Sequence, residues 1–305
     1  MLRSRTFLLI VPSLIIMALL PLGVGGYVLG LLTLAYYYAV FAMSWDLLFG
    51  FAGEVNFGPS FLIGVGAYAA ALLNHYYNVP IPGCLVAGGL AAVVAGVALA
   101  VPALRLTGPY FGLITLVAVL LLQNILVLFS GITGGEIGLD LPDVLAIDDT
   151  TNYYYALGFM TVSGAVLFGL SCSPVGLILQ ASGQDAVEAA ALGFNVAKHK
   201  MAAFCISALF SGLAGAMLIF YLGTASVGTV VDIAVGVNVI IAAVLGGRRT
   251  IIGGAVGAIF LIGAGELLRP LGQLSTFVVS AIALLVILFF PGGFLGRILH
   301  TGGTE

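Results

Sequence analysis

Long apolar runs separated by short polar stretches organise the whole chain. A helix needs about 20 mostly apolar residues to cross a bilayer. Runs of that kind recur at 6–24, 27–48, 60–77, 83–101, 109–129, 153–172, 200–222, 233–246, 251–267 and 274–290. They predict an all-α, polytopic membrane bundle of ten helices in one transmembrane domain over residues 1–305. The run 233–246 is short and ends at Gly246-Gly247, as a discontinuous helix would. Residues 50–58, GFAGEVNFG, are too polar and glycine-rich to span, so they predict a broken or re-entrant segment between the second and third helices.

One polar stretch stands apart from the rest. Residues 182–193, SGQDAVEAAALG, carry a capping-box pattern in Ser182 and Asp185, which predicts a short helix beginning at Ser182. Asp185 and Glu188 suit the positive end of its dipole, and Gly193 is a stop signal. Asp185, Glu188, Ala189 and Leu192 follow the i, i+3, i+4, i+7 spacing of a single helix face. Ala189, Ala190 and Ala191 are small enough to let another surface approach. The expectation is an amphipathic helix, within a loop spanning 173–200, by which a soluble subunit grips a membrane subunit.

Charge sets the orientation. Only 7% of the residues are charged and 62% are hydrophobic, more apolar surface than a soluble domain encloses. An N-terminus in the cytoplasm places Arg3, Arg5, Arg105, Lys198, Lys200, Arg248, Arg249 and Arg297 inside, and only Arg269 outside. The loop 131–150, with Glu136, Asp140, Asp143, Asp148 and Asp149, then lies outside without a basic residue. Ten spans with both termini cytoplasmic satisfy this separation, with the run after Arg3 and Arg5 serving as a signal anchor. Glycine clusters at 50–66 and at 246–257 suggest two five-helix halves meeting near 131–152.

Candidate chemistry is sparse. Cys84, Cys172 and Cys205 have no metal spacing, His75, His199 and His300 are scattered, and no phosphate loop or basic nucleic-acid footprint occurs. Polar groups within the spans are the candidates for a transport path: Glu54, Asn56 and Ser60 beside Gly64 and Gly66, then Asn124 and Asn238. Asn and Gln also serve as hydrogen-bond glue between helices, and Glu54 reads first as a solvated loop carboxylate and only second as a ligand of the cargo. Asp46 and Gln123 are further path candidates, although Asp46, close to the cytoplasmic end of its helix, also reads as solvated; Glu266 and Arg269 read as partners of one another.

Several motifs together resemble a known family. GEVNFGPSFLIGVGAY is similar to the G-x-x-S-[LF]-G-H-x-x-F-x-G-I-G-A-Y signature of LivM-like branched-chain amino-acid ABC transporter permeases, with Gly53, Phe57, Gly58, Gly64, Gly66, Ala67 and Tyr68 in place. LRLTGPYFGLITL from Leu104, TGG from Thr133, the segment from Glu188 to Met217 and LGGRRTIIGGAVGA from Leu245 resemble further family motifs in the expected order. Asn56 and Pro59 depart from the usual serine and histidine, and Glu54, Arg248-Arg249 and Ala255 also differ. The resemblance implies an inner-membrane permease subunit without an ATPase of its own and binding no cofactor. Its partners would be a second, homologous permease, two ABC ATPases that use ATP and Mg, an extracytoplasmic binding protein and the lipid bilayer, with no nucleic acid. Asp185, Glu188, Ala189, Ala190, Leu192 and Gly193 would then be the ATPase-coupling helix. Branched-chain or related amino acids are the implied cargo; urea, amides or another small polar solute are the alternative, and an ion-coupled secondary transporter is the rival class. The acidic loop 131–150 fits a binding-protein contact, and equally a translocated loop that simply lacks Lys and Arg.

Overall fold

A computed structural model describes residues 12–106 and 108–272, with single positions at 274, 278, 281 and 293. Both termini lie outside the described residues, and the tenth expected span is described at three positions only. The described residues are all-α apart from one two-residue strand pairing. In order come α1 (Pro12–Leu22), α2 (Gly26–Asp46, extended by a π-turn over Leu47–Phe51), α3 (Pro59–Tyr77), α4 (Ile81–Ala103) and α5 (Pro109–Leu128). Then follow α6 (Asp149–Ser171), α7 (Pro174–Gln184), α8 (Ala186–Ala191), α9 (Val196–Leu222), α10 (Ile233–Gly246) and α11 (Ile252–Leu267).

Six helices among the described residues are long and apolar enough to cross a bilayer: α2, α4, α5, α6, α9 and the run Val227–Gly246 that contains α10. α3 has the length but not the apolarity, since Asn74 and His75 fall in its last turn, and α1 and α11 are shorter apolar helices. Polar residues mark the starts. Asp148, Ser173, Asn195 and Asp232 each accept a backbone N–H of the first turn that follows, and α3, α5 and α7 open on a proline.

α2 and α9 form the centre and pack on one another. α2 also lies against α11 and α6, whereas α9 lies against α4 and α3. All these helices are apolar around their circumference, so close backbone approach rather than an apolar stripe selects the packed face. Gly66 of α3, Gly88 of α4 and Gly212 of α9 meet at one crossing, where a Cβ on any of them would run into a neighbouring helix.

The two ends of the bundle differ in charge. At one end Glu54 meets Lys200, and Arg248 and Arg249 lie beside the last turn of α2. At the other end lies the acidic loop after α5. There Leu139–Asp140 pairs antiparallel with Thr224–Ala225, Asn74 donates to Asp143, and Gly223 and Phe220 accept from Leu141 and Leu145. The loop is thereby fastened across the ends of α3 and α9.

Candidate functional site

The polar stretch after α7 begins later than its sequence pattern suggests. Ser182 does not cap a helix: it lies buried in the last turn of α7, with its Oγ unpartnered among the described residues. The helix breaks at Asp185, whose extended backbone lets Oδ1 accept the N–H groups of Val187 and Glu188 at 2.8 and 3.0 Å. Aspartate is the stronger N-cap because its charge also meets the helix dipole. The resulting α8 has six residues, closed where Leu192 N–H bonds to Glu188 C=O and Gly193 turns left-handed. Its inward contact is Ala189, which is buried, while Asp185, Glu188 and Ala190 are exposed. Ala189 therefore does not share the outer face with Asp185, Glu188 and Leu192. Two apolar side chains project outward instead, Val187 at 79% and Leu192 at 75% exposure, with Phe194 beside them. Apolar side chains this exposed, set in a polar segment at the basic end of the bundle, are what a docking partner would cover.

Behind α8 lies the broken segment. α2 unwinds into its π-turn, the chain bends at Gly53 with φ +73°, and α3 starts at Pro59. The bend is fastened from several sides. Trp45 Nε1 donates to the carbonyl of Asn56 at 2.6 Å, Asn56 Oδ1 accepts Gly58 N–H at 2.8 Å, and Phe57 N–H donates to Thr115 Oγ1 at 3.0 Å. Glu54 is not a free loop carboxylate: it pairs with Lys200 Nζ at 2.6 Å, both side chains being 15% exposed. A cavity of about 390 Å³ separates α1, α2, α6 and α11, while a larger one of about 750 Å³ opens between Glu54, Phe57, Leu106, Pro109, Gly183 and the base of α9 at Lys200.

Asp46 also differs from expectation. It is buried, and its carboxylate accepts the backbone N–H groups of Arg249, Thr250 and Ile251 at 3.1, 3.2 and 3.0 Å. It fixes the loop that leads into α11, where Ile251 adopts a left-handed φ of +53°. Arg249 Nε adds a bond to the Gly50 carbonyl, and the Arg248 guanidinium lies 4.2 Å from the Phe49 ring centre. Burial, and then neighbouring Arg249, lower the Arg248 pKa.

Ser60, Gly64 and Gly66 divide between two sides of α3. Ser60 is buried without a hydrogen-bond partner among the described residues, its Oγ facing Gly236 of α10. Gly64 faces Val231 and Leu122, so α3, α5 and the start of α10 adjoin there. Among the described residues Asn124 is exposed, on the face of α5 turned away from Leu122, and donates only to Leu120 of its own helix, while Asn238 is half-buried and makes no hydrogen bond. Neither amide acts as glue between described helices. Gly66 faces the other way, into the crossing with α4 and α9. At the acidic end Glu266 and Arg269 pair at 3.1 Å, as the sequence suggests, and Tyr27 joins them. Among the described residues no group of three or more His, Cys, Asp or Glu could hold a metal ion.

Lys200, Thr115, Val187 and Phe194 are the site residues that sequence reasoning missed. Lys200 left a partial signal, since Glu54 stands without a charged neighbour in sequence and basic residues are few in this chain. Thr115 left no such signal.

Comparison with known proteins gives a consistent result. The family described as branched-chain amino acid transport system / permease component matches residues 27–291. The high-affinity branched-chain amino acid transport system permease protein LivM of Escherichia coli is 28% identical, covering 94% of this chain and 74% of the relative. LivM of Salmonella typhimurium is also 28% identical, over 86% of this chain and 68% of the relative. The LivH permease of that organism is 26% identical, over 87% of this chain and 93% of the relative. No solved structure matches significantly.

Proposed function

The chain belongs to the branched-chain amino acid transport permease family, and from that membership we propose that it is the membrane-spanning permease subunit of a binding-protein-dependent ABC importer. Its cargo is branched-chain or related amino acids, moved across the cytoplasmic membrane of a prokaryote. The observation that carries the mechanism is α8: a short, capped helix at the basic end, presenting Val187 and Leu192 outward. Basic loops stay cytoplasmic, so α8 faces the ATPases, which supply ATP and Mg chemistry. Asp185 caps the helix, Ala189 seats it, Glu188 and Ala190 line its outer side, and Gly193 ends it.

ATP binding draws the two ATPases together and moves the helices they hold, so that the path opens to each side in turn. The path runs between this chain and a second permease. Ser60, Asn124 and Asn238 are its proposed polar lining; Ser60 faces α10, and Gly64 keeps the wall thin where α3, α5 and the start of α10 adjoin. Asn56 and Gly66 serve the path by shaping α3 rather than touching cargo. The two-half organisation is supported by matching packing: α2 leads through a bend to α3 and α4 and lies on α11, while α9 leads through a bend to α10 and α11 and lies on α4. The boundary near 131–152 falls in the acidic loop, whose outward-facing Ile137 and Ile147 suit contact with a binding protein.

The test is co-purification of the tagged permease with its ATPases. Wild type retains them, whereas Val187→Asp together with Leu192→Asp elutes as an intact permease without them. Retention in the variant would remove α8 from the docking surface.

A further inference from the structure

The path by which motion of α8 reaches the transport path can be followed atom by atom. α8 is continuous with the end of α7 through the single extended residue Asp185. Gly183, two residues earlier, lies directly on the bend after α2. A Cβ on Gly183 would stand 2.6 Å from the Phe51 carbonyl oxygen, and one on Gly53 would stand 2.8 Å from the Gly183 carbonyl oxygen. Backbone meets backbone there, with no side chain between them to yield. On the far side of α8, the first turn of α9 carries Lys200, whose Nζ reaches Glu54 Oε1 at 2.6 Å. The segment holding α8 therefore touches the bend on both flanks, once by packing and once by charge.

The bend in turn controls the start of α3. Glu54 N–H bonds to the Leu48 carbonyl at 3.1 Å, which ties it to the π-turn. Within the next four residues come the Trp45–Asn56 bond, the Asn56 cap on Gly58 and the Phe57–Thr115 bond, and then Pro59 opens α3. Ser60, proposed above as path lining, is the second residue of that helix. A displacement of 183–200 thus has a short, stiff route to Ser60. A packing contact transmits a push but not a pull. The ion pair supplies the pull, because separating two largely buried opposite charges is opposed in both directions of sliding.

We infer that the Glu54–Lys200 ion pair, acting with the Gly53–Gly183 contact, is the link that returns the start of α3 when the coupling helix is withdrawn, so that both residues are positioning residues for coupled transport. The inference rests on the ABC permease reading given above. It assigns a role to Glu54, a position at which this chain departs from the family signature, and to Lys200, to which the family resemblance gave no role.

The experiment uses the complete complex, with permeases, ATPases and binding protein reconstituted in liposomes, and reads leucine uptake and ATP hydrolysis together. Glu54→Gln and Lys200→Met are expected to keep their ATPases and hydrolyse ATP while uptake per ATP falls about tenfold, within the range usual for coupling between distinct sites. The exchanged pair Glu54→Lys with Lys200→Glu is expected to recover much of the ratio. Lys198→Met, which removes an exposed charge two residues away, leaves it unchanged. A merely structural pair would lower hydrolysis and uptake in proportion, together with the yield of monodisperse complex. If Glu54→Gln does not elute as an intact complex, Glu54→Asp, which keeps the charge and withdraws it by one methylene, is read in its place. A wild-type ratio in the single variants, or a loss that the exchanged pair leaves unrepaired, would overturn the inference while the permease reading stood. A wild-type permease that binds no ATPase would overturn both.

Discussion

Replacing Asp46 gives the sharpest energetic test of the packing. Its carboxylate is buried at the end of α2 and accepts three backbone N–H groups from the loop before α11. A hydrogen bond to a charged acceptor contributes about 1.5–3 kcal/mol, so three would give about 4–9 kcal/mol if all the donors were sealed from water. They are not: Arg249 is exposed and Thr250 half-buried, so water reaches two donors, and only Ile251 is fully buried. Removing the side chain also recovers the cost of burying a charge. A net loss of about 3 kcal/mol is therefore expected for Asp46→Ala. Asp46→Asn, which keeps one carbonyl acceptor, is expected to lose roughly half as much. At about 2–4 °C per kcal/mol for chains of 150–250 residues, and toward the lower end for this longer chain, Asp46→Ala should lower the apparent melting midpoint by about 6 °C. Asp46→Asn should lie between that variant and wild type. The assay is monodisperse peak height after heating in detergent, at one fixed heating time because membrane proteins unfold irreversibly. A midpoint for Asp46→Ala within 1 °C of wild type would refute the reasoning, as would an Asp46→Asn variant less stable than Asp46→Ala.

Three further outcomes follow from the same geometry. Gly66→Ala should destabilise by about 1–3 kcal/mol through overpacking at the α3–α4–α9 crossing, whereas Gly263→Ala, which has open space around it, should be neutral or stabilise by up to about 1 kcal/mol; paired melting curves decide. Asp185→Ala removes the cap of α8 and should lower retention of the ATPases without shifting the melting midpoint, because α8 is exposed and peripheral. Tyr27→Phe should leave the midpoint within a degree of wild type, since Glu266–Arg269 is a surface pair and exposed pairs add little; a large fall would mean the cluster fastens α2 to α11.

Much of the architecture was legible in the order of apolar runs, because spanning length and polar interruption are local properties. Helices α2 to α6 and α9 to α11 fall where those runs predict them, α7 lies in a stretch expected to be loop, and the bend between α2 and α3 lies within the glycine-rich stretch. What the sequence concealed was partnership. Ser182 and Asp185 both suit a cap, and the choice between them depends on Gly183 being pressed against Gly53, which buries Ser182 and forces the helix to restart at Asp185. Asp46 read as solvated because its partners are backbone groups some 200 positions away, and backbone donors leave no trace in side-chain pattern. Ala189 matched the outward spacing of Asp185 and Leu192, yet a helix of only six residues held at both ends need not present an ideal face. Gly64 and Gly66, two residues apart, point to different neighbours, one to the proposed path and one to the core.

The most direct test of the central claim is leucine uptake by the reconstituted permease complex, with ATP and with an imposed ion gradient as alternative energy sources. Uptake should require ATP, the ATPases and the binding protein together, and should ignore the gradient. Uptake by this chain driven by a proton or sodium gradient, with the ATPases absent, would contradict the account.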